Sequence, residues 1–98
     1  MQILITFKNV EPSDYLKTYV EEKLERLEKI MAAPGTADVV FQEEKQRKRV
    51  DVKLNGKGIE IHASEEGSAW NEAIDLVVDK VKKQLVRTKD KIQDHRPE

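Results

Sequence analysis

The segment Arg49-Val50-Asp51-Val52-Lys53-Leu54-Asn55-Gly56-Lys57-Gly58-Ile59-Glu60-Ile61-His62-Ala63 alternates twice. Val50, Val52 and Leu54 form one apolar set at period two, and Ile59, Ile61 and Ala63 form another. Asn55-Gly56-Lys57-Gly58 lies between them, with glycines that accept positive φ. Two such runs joined by this turn predict an antiparallel hairpin buried on one face. The residues of opposite parity, Arg49, Asp51, Lys53, Glu60 and His62, predict a polar face open to water.

Upstream, Val39 and Phe41 continue the same parity and predict a further strand, with the charged stretch 43 to 48 as a longer hairpin connection. Before it, Leu16, Val20, Leu24, Leu27 and Met31 recur at helical spacing. Ser13 is a candidate N-cap, Asp14 suits the positive end of the helix dipole, and the helix should run from about 13 to about 31, ending before Pro34-Gly35. Glu22 with Arg26 and Glu25 with Lys29 are expected as i,i+4 pairs. At the start, Ile3, Ile5 and Phe7 alternate with Gln2, Leu4 and Thr6, which reads as a strand and not as a signal peptide.

Downstream, Ser68 is the N-cap candidate for a second helix carrying Trp70, Ile74, Val77, Val78, Val81, Leu85 and Ile92 to about residue 92. The order is β-α-β-β-β-α, an α+β domain. A crossover helix between the first two strands predicts parallel pairing and the hairpins predict antiparallel pairing, so the four-stranded sheet is mixed, with two helices on one face. A chain of 98 residues holds one core; the domain is expected over 1–93, with 94–98 as a frayed tail.

Charge is uneven along the chain. The formal net charge is −1, yet residues 60 to 79 carry six acids and no Lys or Arg, whereas 80 to 92 carry six basic residues against Asp90 alone. A second basic block, 45 to 57, holds Lys45, Arg47, Lys48, Arg49, Lys53 and Lys57 against Asp51. Such asymmetry predicts local fields of opposite sign. On a helical wheel Lys80, Lys83, Arg87 and Lys91 make a ridge beside the apolar stripe, with Lys82 and Lys89 on its other flank. Arg26 and Lys29, with Lys23 near the edge of the apolar face, occupy the first helix. If the helices lie side by side these residues converge on one surface suited to a phosphate backbone; a merely solvated helix face accounts for the same pattern.

Catalysis and metal binding find little support. His62 and His95 are the only imidazoles, there is no cysteine, no ligand spacing points to zinc or calcium, and Gly56-Lys57-Gly58 opens no helix. No cofactor is expected, and no run approaches a membrane span. Without disulfides the chain fits a reducing cytoplasm. Trp70 is in phase with Ile74 and Val77 and reads as core, with base stacking as the alternative.

Glu60-Ile61-His62-Ala63-Ser64, Glu66-Gly67, Ala73-Ile74-Asp75, Asp79-Lys80, Gln84-Leu85 and Lys89-Asp90-Lys91 resemble the second half of the short ribosome hibernation promoting factors, relatives of the ribosome-associated inhibitor A and the sigma-54 modulation proteins. Met1-Gln2, Ile5-Thr6, Asn9-Val10-Glu11, Lys23 and Leu27-Glu28 resemble the first half, in register and without a large gap. The resemblance implies a fold related to double-stranded RNA-binding domains. It also implies binding to the small ribosomal subunit and its rRNA, in the channel for messenger and transfer RNA, and inhibition of translation by occupancy. Lys23, Arg26, Lys80, Lys83, Arg87, Lys89 and Lys91 match basic positions of the family. Paired, inactive ribosomes formed together with a separate ribosome modulation factor are the implied outcome, and the isolated chain is expected to be monomeric. Where the family has Asp-Met-Tyr, this chain has Ala69-Trp70-Asn71; the extended acidic tail and the dimerisation domain of longer relatives are not expected. A generic double-stranded RNA-binding module and a non-RNA regulatory protein are the competing readings.

Overall fold

Burial of alternate strand positions under two amphipathic helices organises the molecule. The computed structural model describes residues 1–31 and 33–94, with side chains as far as Thr88. The elements are β1 (Gln2–Lys8), α1 (Asp14–Met31), β2 (Thr36–Glu44), β3 (Arg47–Gly56), β4 (Ile59–Gly67) and α2 (Trp70–Asp94). The sheet order is β1-β2-β3-β4, with β1 parallel to β2 and both other pairings antiparallel. This is the expected mixed sheet in the expected order.

Register aligns the apolar positions in rows. Ile5 pairs with Val39, Val39 with Val52, and Val52 with Ala63, so one row of side chains crosses the whole sheet on the helix side. Phe7 pairs with Phe41, and their rings stack at 4.9 Å. Val39, Phe41, Val50, Val52 and Leu54 are fully buried, as are Val20 and Leu24 of α1 and Ile74, Val77, Val81 and Leu85 of α2. Ile3, Ile5 and Phe7 are only half buried because β1 is an edge strand. No polar side chain is buried among the described residues, so stability rests on apolar burial, about 25 cal/mol per Å² removed from water. Arg49, Asp51, Lys53, Glu60 and His62 stand on the open face as expected, and two of them are linked with Ser64, since Arg49 donates to Asp51 and the Ser64 hydroxyl donates to the same carboxylate.

The ends of the elements follow local chemistry. The Leu16 amide donates to Ser13 Oγ at 3.2 Å, capping α1 as expected. Gly35 lets α1 return to the sheet, because a Cβ there would lie 2.6 Å from the Asn55 carbonyl oxygen. Gly58 takes φ +73° in the β3–β4 turn.

Two expectations need correction. The stretch 43 to 48 is not a long connection: Glu43 pairs with Lys48 and Glu44 with Arg47, leaving the two-residue turn Lys45-Gln46. Both turn residues have positive φ, 50° and 65°, the twist that a two-residue hairpin requires. Ser68 is not the last residue before α2. The Ala73 amide bonds the Ala69 carbonyl, so the helix starts one residue later than a Ser68 cap would set. At its other end α2 runs to Asp94; residues 95–98, which hold His95 and most of the expected tail, lie outside the described residues.

Candidate nucleic-acid interface

Parallel helices bring three of the expected cations, Lys23, Arg26 and Lys82, together. Asn71 Nδ2 donates to the Tyr15 hydroxyl at 2.9 Å and the Tyr19 hydroxyl donates to Asp75 Oδ1 at 2.6 Å, so contact advances four residues along each helix in the same direction. Extending that register sets Arg26 of α1 level with Lys82 of α2. Lys23, Arg26 and Lys82 accordingly line one groove between the helices together with Asp75 and Asp79, with Leu27, Ile30 and Val78 as its apolar lining. Since both helices end at the same side of the molecule, their negative dipole ends favour cations there, which suits Lys29 in the last turn of α1.

The expected site residues divide by partner. Lys23 lies 3.1 Å from Asp75 Oδ1 and 5.1 Å from the centre of the Tyr19 ring. The Tyr19 hydroxyl above all holds the Asp75 carboxyl below its ordinary value, burial opposes it and Lys23 adds to the lowering, while Asp75 pushes the Tyr19 hydroxyl up. Lys80 reaches over the β4 side to Glu65 at 3.1 Å, and Lys83 pairs with Asp79 one turn back at 3.0 Å. Arg26, Lys29, Lys82 and Arg87 are exposed and join no ion pair among the described residues. The backbone of Lys89 and Lys91 continues α2, but their side chains lie outside the described residues.

Here too expectation is corrected. Glu22–Arg26 and Glu25–Lys29 do not form ion pairs; exposed pairs of this spacing are worth only about 0.3–0.5 kcal/mol, so that some form, as Lys83–Asp79 does, and others do not. The ridge on α2 is not wholly free, because Lys80 and Lys83 are neutralised. Nor do the acidic and basic blocks keep apart in space, since Glu65, Glu66, Asp75 and Asp79 meet Lys80, Arg47, Lys23 and Lys83. These partners are distant in sequence except Asp79 and Lys83, so only that pair could have been found by spacing.

Trp70 is half buried, its ring edge-on to Phe41 at 5.5 Å between centroids, with Lys48 Nζ 5.9 Å from its centre. It packs against the core without being buried in it, one side open to a cleft formed by the β1–α1 loop, the Lys45-Gln46 turn and the start of α2. His62 is exposed, and no group of three or more His, Asp or Glu among the described residues is placed to hold a metal. No helix of the described residues is long and apolar enough to cross a membrane.

Known proteins with this architecture include the N-terminal domain of Thermus thermophilus Protein Y, which superposes with TM-score 0.84 at 30% identity over 89% of this chain and 98% of its own. A ribosomal subunit interface protein from Coxiella burnetii superposes with TM-score 0.85 at 28% identity, over 92% and 99% of the two chains. In sequence, the ribosome hibernation promoting factor of Salmonella typhimurium is 40% identical over 95 residues, 97% of this chain and 100% of that protein. Its Escherichia coli counterpart is 39% identical over the same span. Residues 3–93 match the family model described as sigma 54 modulation protein / S30EA ribosomal protein, and with relatives this similar along nearly its whole length the chain belongs to that family.

Proposed function

We propose that the chain is a ribosome hibernation factor that binds the small ribosomal subunit in the rRNA-walled channel for messenger and transfer RNA. It inhibits translation by occupancy and changes no covalent bond. The observation that carries this reading is the parallel pair of helices that sets Arg26 level with Lys82, neither in an ion pair among the described residues, with Lys29 and Arg87 toward the same end. Cations that are already extended into solvent can replace counterions on phosphate without first breaking an internal pair. Lys23, Lys80 and Lys83 join them when phosphate displaces Asp75, Glu65 and Asp79, and Lys89 and Lys91 extend the same helix. The names of the relatives, hibernation promoting factors and a subunit interface protein, support the ribosome as the partner. On this reading the chain acts in the cytoplasm as a monomer and favours paired, inactive ribosomes together with a separate modulation factor.

Cosedimentation with small subunits in the presence of excess duplex RNA tests it. The native chain should stay on the subunit, and the exposed double variant Arg26→Glu, Lys82→Glu should leave it, with folding stability changed by no more than about 1 kcal/mol. Complete displacement by duplex RNA would instead mark a generic double-stranded RNA module. Absence of all RNA affinity at low salt would mark a regulator that works without RNA.

A further inference from the structure

Beyond the groove, toward the N-terminal end shared by both helices, the seam between them carries two aromatic rings, and Tyr15 opens on the cleft that also holds Trp70. Tyr15 and Tyr19, the only tyrosines of the chain, sit one turn apart on α1. Their rings lie 6.0 Å apart between centroids with 30° between planes. Tyr19 is partly buried, whereas Tyr15 is 63% exposed. Exposure of one ring is ordinary; fixing it there is less so. Asn71 Nδ2 holds the Tyr15 hydroxyl from the neighbouring helix, and Asp75 holds that of Tyr19, so both rings are tied at their far ends while the Tyr15 face stays open. Along α1 the order is then ring, ring, ammonium, guanidinium: Tyr15, Tyr19, Lys23, Arg26.

Aromatic faces in line with a cationic track are what a groove for single-stranded nucleic acid needs. The rings stack bases of any sequence and the cations follow the backbone. We infer that Tyr15, backed by Tyr19, is a stacking step for an unpaired RNA base whose phosphates continue over Lys23 and Arg26. The assignment rests on the RNA reading above and narrows it, since RNA at this end of the groove is single-stranded. Asp75 lies on this path, and phosphate must compete with its carboxylate for Lys23. Holding the ring in advance lowers the entropy lost when a base arrives.

Equilibrium binding of the full chain to a single-stranded oligoribonucleotide, to a duplex of the same composition and to purified small subunits tests the step. Tyr15→Phe keeps the ring and loses only the Asn71 tie, so it should bind the duplex unchanged and the single strand and subunit less than about fivefold more weakly. Tyr15→Ala should bind the single strand and the subunit about 5- to 150-fold more weakly, the loss of one stacked base, and the duplex unchanged. Circular dichroism should match the native chain for both variants. Equal weakening toward single strand and duplex would overturn the step, as would a Tyr15→Ala variant that binds the single strand normally, or a native chain that binds no oligoribonucleotide. Weakening toward the subunit alone would overturn it in favour of a ribosomal-protein contact. If the native chain fails to bind small subunits, the function proposed above falls, whatever Tyr15 does; if it binds them and Tyr15→Ala binds as well, only the stacking step falls.

Discussion

At the scale of single residues, Lys23 and Asp75 set how strongly the groove can hold RNA. Phosphate must compete with an acid that Lys23 already meets at 3.1 Å. Replacing Asp75 by Asn removes the competitor while keeping an acceptor for Tyr19. Asp75→Asn should therefore tighten RNA binding several-fold and steepen the dependence of log affinity on log salt by about one, a result to be read from titrations across a salt series. An unchanged slope would mean that Lys23 stays away from phosphate. The same carboxyl has a pH signature. Because Tyr19 and Lys23 hold it below its ordinary value of 3.8, the link stabilises the fold above that value and is lost as pH falls through the lower, folded value. The loss should be small because the group is half exposed.

At the scale of elements, what was legible in the sequence was whatever repeats locally. Val50, Val52 and Leu54 announced a strand by period two, and Leu16 to Met31 announced α1 by period 3.6, since each periodicity is imposed by one buried face. The Lys45-Gln46 turn was hidden because it uses positive φ without glycine or asparagine, and a charged stretch with no turn signature reads as a loop. The contacts Lys23–Asp75, Lys80–Glu65 and Tyr15–Asn71 were hidden for another reason: they depend on how elements dock, which no local pattern encodes. The turn gives a stability prediction. Lys45→Asn with Gln46→Gly should stabilise the domain by about 0.5–2 kcal/mol, seen as a higher midpoint in urea, because both replacements accept left-handed backbone at less cost. A lower midpoint would show that the side chains of Lys45 and Gln46 matter more than their backbone strain.

At the scale of the molecule, the crossover helix after β1 and the two hairpins make α1 and α2 run in the same direction, and this places the basic ends of both helices together. A chain of net charge −1 thus presents cations that join no ion pair among the described residues toward the C-terminal end of the helix layer, a distribution that the total conceals. The apolar stripes of both helices are already buried against the sheet, so binding should call for no large folding step. The central claim is occupancy of an RNA-walled channel. Its most direct test is equilibrium binding of the labelled chain to small subunits at increasing saturation with messenger RNA and initiator transfer RNA. Occupancy predicts that these ligands weaken the chain's binding by the same coupling free energy with which the chain weakens theirs. Simultaneous saturation of subunits by all three, with no mutual weakening, would contradict it and move the site out of the channel.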